Sequence, residues 1–244
     1  MSDKVLYIEL TPQEFKERLL KAPIAYLPLG TLEWHGRHMP LGADGLISSG
    51  FFIELARKIG GIVLPMLFIG PDYFKSIEGK EYYGMDIYSY PSKEKPQKLT
   101  GSAYWVSGEF FKQVLEVILK QLMRAGFKIV VAHGHMPSTM LFNKHINQWE
   151  EEFGLELLNC WQKAMSPKLG LQTDHAAANE TSLMMALRPN LVNIDNLPKK
   201  IKEKPLGILG MDPREHASSE VGKKIINLQL DRMVEILKEK LKNF

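Results

Sequence analysis

Short runs of apolar residues alternate along this chain with longer segments whose apolar residues recur at helical spacing. The apolar runs cover residues 24–29, 62–68 and 127–132, and the helical spacing covers 46–59 and 106–125. A strand without polar alternation is buried on both faces, and strands that are joined through helices run parallel. The order therefore predicts an α/β fold with a mostly parallel β-sheet covered by helices on both faces.

Two further features organise the chain. Thr11 and Glu14 form a capping-box pattern that predicts a helix over residues 12–21. Residues 71–100 are rich in Tyr, Gly, Pro and Lys and show no sustained period, so we expect a long irregular excursion, which is often functional. The other expected helices lie near residues 138–152, 177–187 and 219–241.

The chain shows no internal repeat, low-complexity tract or interdomain linker, and 244 residues suffice for one sizeable core. We therefore expect a single domain over residues 1–244. The net charge of +3 arises from 31 basic and 28 acidic residues. An excess this small gives no argument for a nucleic-acid partner.

The sequence also bears on the cellular compartment. Cys160 is the single cysteine, which excludes an intramolecular disulfide, and residues 1–10 contain no apolar run of the signal-peptide kind. The longest apolar stretch, residues 61–70, contains two glycines and Pro65 and is too short to span a bilayer. We expect a cytoplasmic protein without a membrane partner.

Residues able to bind a metal follow the first predicted strand. Glu33 and His35 are two positions apart, so in extended chain both side chains point to the same side, and Asp44 follows them. Several glycines around them permit close packing, and open α/β sheets bind ligands at the carboxyl ends of strands. On spacing alone, His35 could equally be a core histidine that is hydrogen-bonded to Glu33.

Two more polar clusters follow later strands and helices. His133 and His135 end the strand at residues 127–132, although His133 could simply hydrogen-bond nearby backbone. Asp174, His175 and Glu180 precede or begin a predicted helix; Asp174 could cap this helix, with Glu180 facing solvent. Carboxylates and imidazoles without a thiolate favour Zn²⁺ or Mn²⁺.

These clusters together resemble the creatininase family of amidohydrolases. Residues 28–44 (PLGTLEWHGRHMPLGAD) resemble the family signature P-x-G-S-x-E-x-H-G-x-H-L-P-L-x-T-D. Gly134-His135 matches part of N-G-H-G-G-N, and His175 with residues 180–182 matches H-A-G-x-x-E-T-S. Residues 126–127, 210–213, Ala217 and Gly222 also match. The similarity runs in order over about residues 24–230, which implies a three-layer α/β/α fold.

The resemblance also implies a site with two divalent metal ions, Zn²⁺ or Mn²⁺, that share a bridging carboxylate and a bridging water, which attacks as hydroxide. Asp44 would be the bridge, Glu33 and His135 would hold one metal, and His35 the other, with Glu180 as the remaining ligand. His175 would act as general acid and base, shuttling a proton to the leaving nitrogen.

The chain also departs from the family. Residues 133–138 read HGHMPS, so Pro137 occupies the position at which creatininase itself has a metal-binding glutamate. Met136 and Leu171 replace aromatic residues that creatininase packs over creatinine. We therefore expect a substrate other than creatinine, namely a small amide, formamide or lactam.

Two other functions are consistent with the sequence. One is a peptidase of the same family that matures a small peptide-derived cofactor, and the other is an inactive metal-binding oligomer, suggested by the altered residues 133–138. The family resemblance implies a homo-oligomer, commonly a homohexamer. The joint presence of all six site residues argues against a site that has lost its function.

Overall fold

The computed structural model describes residues 4–88, 96–160, 171 and 173–244. A parallel sheet lies at its centre, in the order β2-β1-β5-β6, and β3 and β4 form a separate antiparallel hairpin. The strands are β1 (Ile24–Leu29), β2 (Ile62–Val63), β3 (Phe74–Ile77), β4 (Lys80–Tyr83), β5 (Ile129–Gly134) and β6 (Glu156–Asn159).

Helices cover both faces of the parallel sheet. The α-helices are α1 (Pro12–Lys21), α2 (Ala43–Ile59), α3 (Met85–Tyr88), α4 (Gly108–Ala125), α5 (Met136–Phe153), α6 (Ala178–Leu187), α7 (Pro213–His216) and α8 (Ser219–Leu241). Short 3-10 turns occupy Tyr7–Glu9, Pro189–Leu191 and Ile194–Asn196. The expected α/β class with a mostly parallel, covered sheet is confirmed. None of the helices in the described part of the chain is long and apolar enough to cross a membrane.

The alternation of side chains along β1 produces two separate cores. Ile24 and Tyr26 pack in the core that α2, α6 and α8 cover, whereas Ala25 and Leu27 pack in the core beneath α4 and α5. All six residues of β1 are buried, and so are all six of β5. The absence of polar alternation in these strands thus reflects burial on both faces.

The neighbouring carboxyl ends of β1 and β5 define where a site can form. From β1 the chain passes to β2 on one side, and it later returns to β5 on the other, so the strand order reverses between β1 and β5. Leu29 lies opposite Gly134 at their ends, and Gly134 has a φ of +141°. A Cβ there would lie 1.6 Å from the Leu29 carbonyl oxygen, so only glycine permits this approach. Open α/β sheets bind ligands at such switch points.

Some local predictions were wrong. The second apolar run forms only the two-residue β2, and β6 was not predicted. The excursion predicted as irregular contains the β3-β4 hairpin and α3; its residues 89–95 lie outside the described residues. Cross-strand pairing of Phe74 with Tyr83 explains the hairpin, because their rings also pack together, with centroids 5.0 Å apart.

Candidate metal centre

The loop after β1 places Glu33 and His35 in the interior. His35 donates from Nδ1 to the Glu33 carbonyl oxygen at 3.0 Å, which leaves the Nε2 lone pair available. This Nε2 is buried and has no hydrogen-bond partner among the described residues. It lies 3.7 Å from Asp44 Oδ1 and 3.7 Å from Glu180 Oε2. Two buried carboxylates thus face Nε2 and would stabilise a proton or a metal ion on it, and the core-histidine interpretation does not account for them.

Two helix starts deliver the carboxylates that face His35. Asp44 is in the first turn of α2, and Glu180 is in the first turn of α6. Both side chains are at most 2% exposed, so the solvent-facing alternative for Glu180 is wrong. The Ala176 amide donates to Glu180 Oε2 at 2.6 Å, which holds this carboxylate in place.

Asp174 has the capping role that the sequence left open. Its carboxylate accepts from the Asn179 amide at 2.8 Å and from the Glu180 amide at 3.0 Å. Amides in the first turn of a helix have no partner within the helix, so these bonds stabilise the start of α6. Asp174 thereby fixes the backbone that carries Glu180.

His135 follows β5 directly and begins α5. Its Nδ1 lies 3.2 Å from Ser138 Oγ, and its Nε2 lies 3.6 Å from Glu33 Oε2. Nε2 is also 3.4 Å from Asp72 Oδ2. Because β1 and β5 are adjacent and parallel, Glu33 and His135 meet at one edge of the sheet. The convergence expected from the sequence is therefore present for His135.

The candidate ligand atoms form three overlapping groups that fit divalent cations, each with its atoms within 4.8 Å of one another. One consists of Glu33, His35 and His175; the other two are Glu33, Asp44 and His135, and His35, Asp44 and Glu180. Of the latter two, only Asp44 belongs to both, which is the position of a bridging carboxylate. Oxygen and imidazole donors suit Zn²⁺ and Mn²⁺. The residues therefore fit a two-metal site.

The electrostatics of the site also favour cations. Burial raises the pKa of Glu33 to about 7 and that of Glu180 to about 8, and the charge of Asp44 adds to both effects. Burial alone would lower the pKa of His35, but the negative charges of Asp44, Glu180 and Glu33 raise it to about 10. The cavity therefore stabilises positive charge at the point where the carboxylates meet.

His175 lies beside His35, and its pKa is shifted in the opposite direction. Its Nε2 lies 2.8 Å from the Trp34 carbonyl oxygen, which can only accept, so Nε2 carries the proton and Nδ1 is free to accept one. Burial and the charge of His35 lower its pKa to about 3. Its ring centroid is 4.4 Å from that of His35. A neutral imidazole of this tautomer can take up a proton at Nδ1.

His133 is not brought into either metal group. Its Nδ1 lies 2.8 Å from Ser48 Oγ, whereas its buried Nε2 has no hydrogen-bond partner in the described part of the chain. Burial lowers its pKa to about 4. His133 therefore contacts a side chain of α2 rather than the nearby backbone.

Sequence reasoning missed Asp72. This residue lies in the aperiodic excursion, where no spacing marks any side chain, and the one available signal was the expectation that such a segment is functional. The structure places its Oδ2 3.4 Å from His135 Nε2, with the side chain 3% exposed.

A cavity of about 610 Å³ opens over the candidate ligands. Its outer wall includes Tyr73, Tyr88, Met136 and Leu209, each partly exposed to solvent. None of the described residues that line it is a lysine or arginine. The cavity can therefore take a small organic molecule with an apolar part, and the described part of its wall offers no cationic side chain to an anionic group.

The fold and the site together define a metal-binding α/β protein with its ligands at a sheet switch point. The family described as Creatininase (creatinine amidohydrolase) matches residues 8–237. The chain therefore belongs to the creatininase family, and the expected resemblance is confirmed.

Individual relatives agree with this assignment. Creatinine amidohydrolase of Pseudomonas putida is 26% identical over 220 residues, which is 81% of this chain and 77% of that protein. A crystal structure of creatinine amidohydrolase (creatininase) has a TM-score of 0.74, with 24% identity over 98% of both chains.

Metal-bound forms are also among the similar structures. A mutant creatininase of Zn-Zn type has a TM-score of 0.71 and covers 98% of this chain and 99% of its own. A structure described as creatininase Mn has a TM-score of 0.70 and covers 97% of this chain and 98% of its own. Both are 24% identical to this chain, a level that supports the shared fold.

Proposed function

We propose that this protein is a metal-dependent amidohydrolase that cleaves a non-peptide C–N bond in a small amide, formamide or lactam. The observation that carries the proposal is the sharing of Asp44 between two buried groups of candidate ligands. Membership of a family described as creatinine amidohydrolase supports hydrolysis of a C–N bond.

The ligand groups divide between two metal ions, Zn²⁺ or Mn²⁺. Glu33 and His135 would hold one and His35 and Glu180 the other, with Asp44 on both. Divalent cations bound here would lower the pKa of water and polarise the carbonyl group of the substrate. The Zn-Zn and Mn forms of creatininase support this choice of metals.

His175 is the residue that we assign to proton transfer. The Trp34 carbonyl oxygen fixes the proton on Nε2, so Nδ1 is the atom that takes a proton and returns it to the leaving nitrogen. The positive φ of the next residue, Ala176, at +52°, is a conformation that non-glycine residues seldom adopt. This backbone directs the Ala176 amide to Glu180 and so links the proton carrier to the ligand group.

The proposed substrate is not creatinine. Met136 lines the cavity at one position where creatininase has an aromatic residue, and Leu171, at the other, is 1% exposed and is not part of the cavity wall. Tyr73 and Tyr88 instead come from the excursion, with ring centroids 5.8 Å apart. These aromatic rings support a substrate with a flat apolar part near the cleaved bond.

A substrate screen tests the proposal. Wild-type protein loaded with Mn²⁺ or Zn²⁺ is assayed for release of amine, formate or ring-opened product from small amides, formamides and lactams, with creatinine in the same panel. We expect hydrolysis of at least one compound, faster than that of creatinine and abolished by chelator. Creatinine as the best substrate would contradict the specificity, and no hydrolysis with two bound metals would favour an inactive metal-binding protein.

Three further properties belong to the same proposal. We propose that residues 1–244 form one domain, that the protein acts in the cytoplasm, and that it assembles as a homo-oligomer.

Phe110 and Val117, seven positions apart on α4, are 50% and 62% exposed. Apolar side chains on one helix face support an interface between copies of the chain. Light scattering coupled to gel filtration measures the assembly, for which we expect a hexamer.

A further inference from the structure

We propose that Asp72, supplied from the excursion, is a further ligand of the metal held by Glu33 and His135. This inference rests on the proposed function, because it assigns a residue to one of its two metals. Asp72 lies outside the motifs that match the family.

The distances around His135 fit coordination. Asp72 Oδ2 and Glu33 Oε2 lie 3.4 Å and 3.6 Å from His135 Nε2. Ligand atoms at ~2.1 Å from a zinc or manganese ion are separated by roughly 3.0–3.4 Å in octahedral or tetrahedral geometry. Both distances from His135 Nε2 are therefore close to those between ligands of one ion.

The burial of Asp72 requires a cationic or hydrogen-bonding partner. Its side chain is 3% exposed, and Oδ2 has no hydrogen-bond partner among the described residues. The other oxygen, Oδ1, accepts from the Tyr73 amide at 2.6 Å, which fixes the carboxylate. Oδ2 faces His135 Nε2 at 3.4 Å, and a metal ion bound by both atoms would satisfy this buried carboxylate oxygen.

Gly84 keeps the space between the two carboxylates open. A Cβ at this position would lie 2.3 Å from Asp72 Oδ2 and 2.7 Å from Glu33 Oε1. Its φ of +48° and the hydrogen bond from its amide to the Tyr73 carbonyl oxygen at 3.0 Å hold the end of the β3-β4 hairpin against Asp72. Gly84 thus lets both carboxylates approach the same backbone position.

The tautomer of His135 distinguishes ligation from a plain hydrogen bond. If Nε2–H donated to Asp72, Nε2 could bind no metal and Nδ1 would have to accept from Ser138 Oγ. If Nδ1–H donates to Ser138 instead, Nε2 and Asp72 Oδ2 are both available to a metal ion. The 3.4 Å between Nε2 and Oδ2 is longer than a good N–H···O hydrogen bond, which favours the second arrangement.

Metal stoichiometry of purified variants tests the inference. Chelator-treated proteins are reloaded with Mn²⁺, freed of excess metal and measured by inductively coupled plasma mass spectrometry. Wild type should bind about two ions per chain, and Asp72→Asn about one, with at least about 100-fold weaker affinity at the lost site. Glu81→Gln, which removes an exposed carboxylate from the same hairpin, is the matched control and should keep both.

Double variants identify which ion is lost. Asp72→Asn with Glu33→Gln should still bind about one ion, because both changes affect the same site, whereas Asp72→Asn with Glu180→Gln should bind almost none. Two ions in Asp72→Asn at unchanged affinity would overturn the ligand assignment and leave the proposed function intact. Fewer than one ion in the wild type would overturn both.

A gain of signal provides a second measurement. Asp72→Cys loaded with Co²⁺ should show a thiolate-to-cobalt charge-transfer band in the near ultraviolet, since cysteine thiolate is a good ligand for such ions. The wild type contains the buried Cys160 and should show no such band. Absence of the band in a folded Asp72→Cys protein that binds two Co²⁺ ions would contradict coordination at position 72.

Discussion

His35 Nε2 and Glu180 Oε2 lie 3.7 Å apart in the interior of the protein, although they are 145 positions apart in the chain. The two residues belong to different parts of the fold. The loop after β1 carries His35 and the start of α6 carries Glu180, and Asp44 lies at 3.7 Å from the same Nε2. The loop after β1 and the first turns of α2 and α6 thus form one ligand group. Each ligand can therefore be tested by its own substitution.

Asp44 should be needed for both metal ions. Because it belongs to both ligand groups, Asp44→Ala should reduce the metal content from about two ions to nearly none. Elemental analysis of protein purified without chelator measures this, and Asp195→Ala, a change at an exposed carboxylate, is the control. Retention of one ion by Asp44→Ala would show that Asp44 serves a single site.

His175 should be needed for turnover and not for metal. We expect His175→Ala to keep both ions while the rate of hydrolysis falls by about 10² to 10⁴-fold, the usual contribution of a general acid or base. Metal content and kcat are measured on the same preparation. His175 also lies within 4.8 Å of Glu33 and His35, so loss of an ion from this variant would make it a ligand instead.

The helices and strands that position the site were easier to predict from the sequence than the contacts within the site. Continuous apolar runs identified β1 and β5, and parallel strands necessarily place residues such as Glu33 and His135 at one edge. The pattern could not distinguish His133 from His135, because both follow the same strand at alternate positions. The family resemblance selected His135, and the packing of α2, which brings Ser48 to His133, explains the difference.

Asp72 shows why part of the site was beyond sequence reasoning. Its position depends on how the excursion folds back over β5, and that path is fixed by tertiary contacts such as the Gly84 amide to the Tyr73 carbonyl oxygen. No local period encodes such contacts. The short β6 was missed for a related reason, since four residues at Glu156–Asn159 carry too little pattern to indicate a strand.

His38 should make the protein sensitive to mild acid. Its Nε2 lies 2.9 Å from Thr181 Oγ1, it is 2% exposed, and burial, with the charge of His35, lowers its pKa to about 4. The unfolded state takes up this proton below about pH 6.5, whereas the folded state does so only near pH 4. The free energy of unfolding should therefore fall as the pH decreases between these values.

The variant His38→Gln isolates this effect. It keeps a polar group for Thr181 but does not titrate, so its stability should fall less than that of the wild type, by about 2 kcal/mol between pH 7 and pH 5. Urea unfolding at the two pH values measures the difference, and His216→Gln, at an exposed histidine, is the control. Parallel loss of stability in wild type and His38→Gln would show that His38 does not titrate as described.

Gly222 in α8 should be required for the position of α6. A Cβ at this residue would lie 1.9 Å from the Ser182 carbonyl oxygen, which belongs to the backbone of α6 and cannot move alone. Alanine within a helix normally stabilises by about 0.5–1 kcal/mol relative to glycine. Here the clash should reverse the sign, and we expect Gly222→Ala to lower the free energy of unfolding by at least about 2 kcal/mol.

The same change should weaken the metal site, because α6 carries Glu180 in its first turn. We expect Gly222→Ala to lose affinity for the ion held by His35 and Glu180 while it retains the other ion. Gly108→Ala in α4, where the nearest atom to a new Cβ is 3.4 Å away, should not lower the stability and should leave the affinity for both ions unchanged. Urea unfolding and metal titration together measure both effects. An unchanged or higher stability of Gly222→Ala would show that α8 can shift away from α6 without cost.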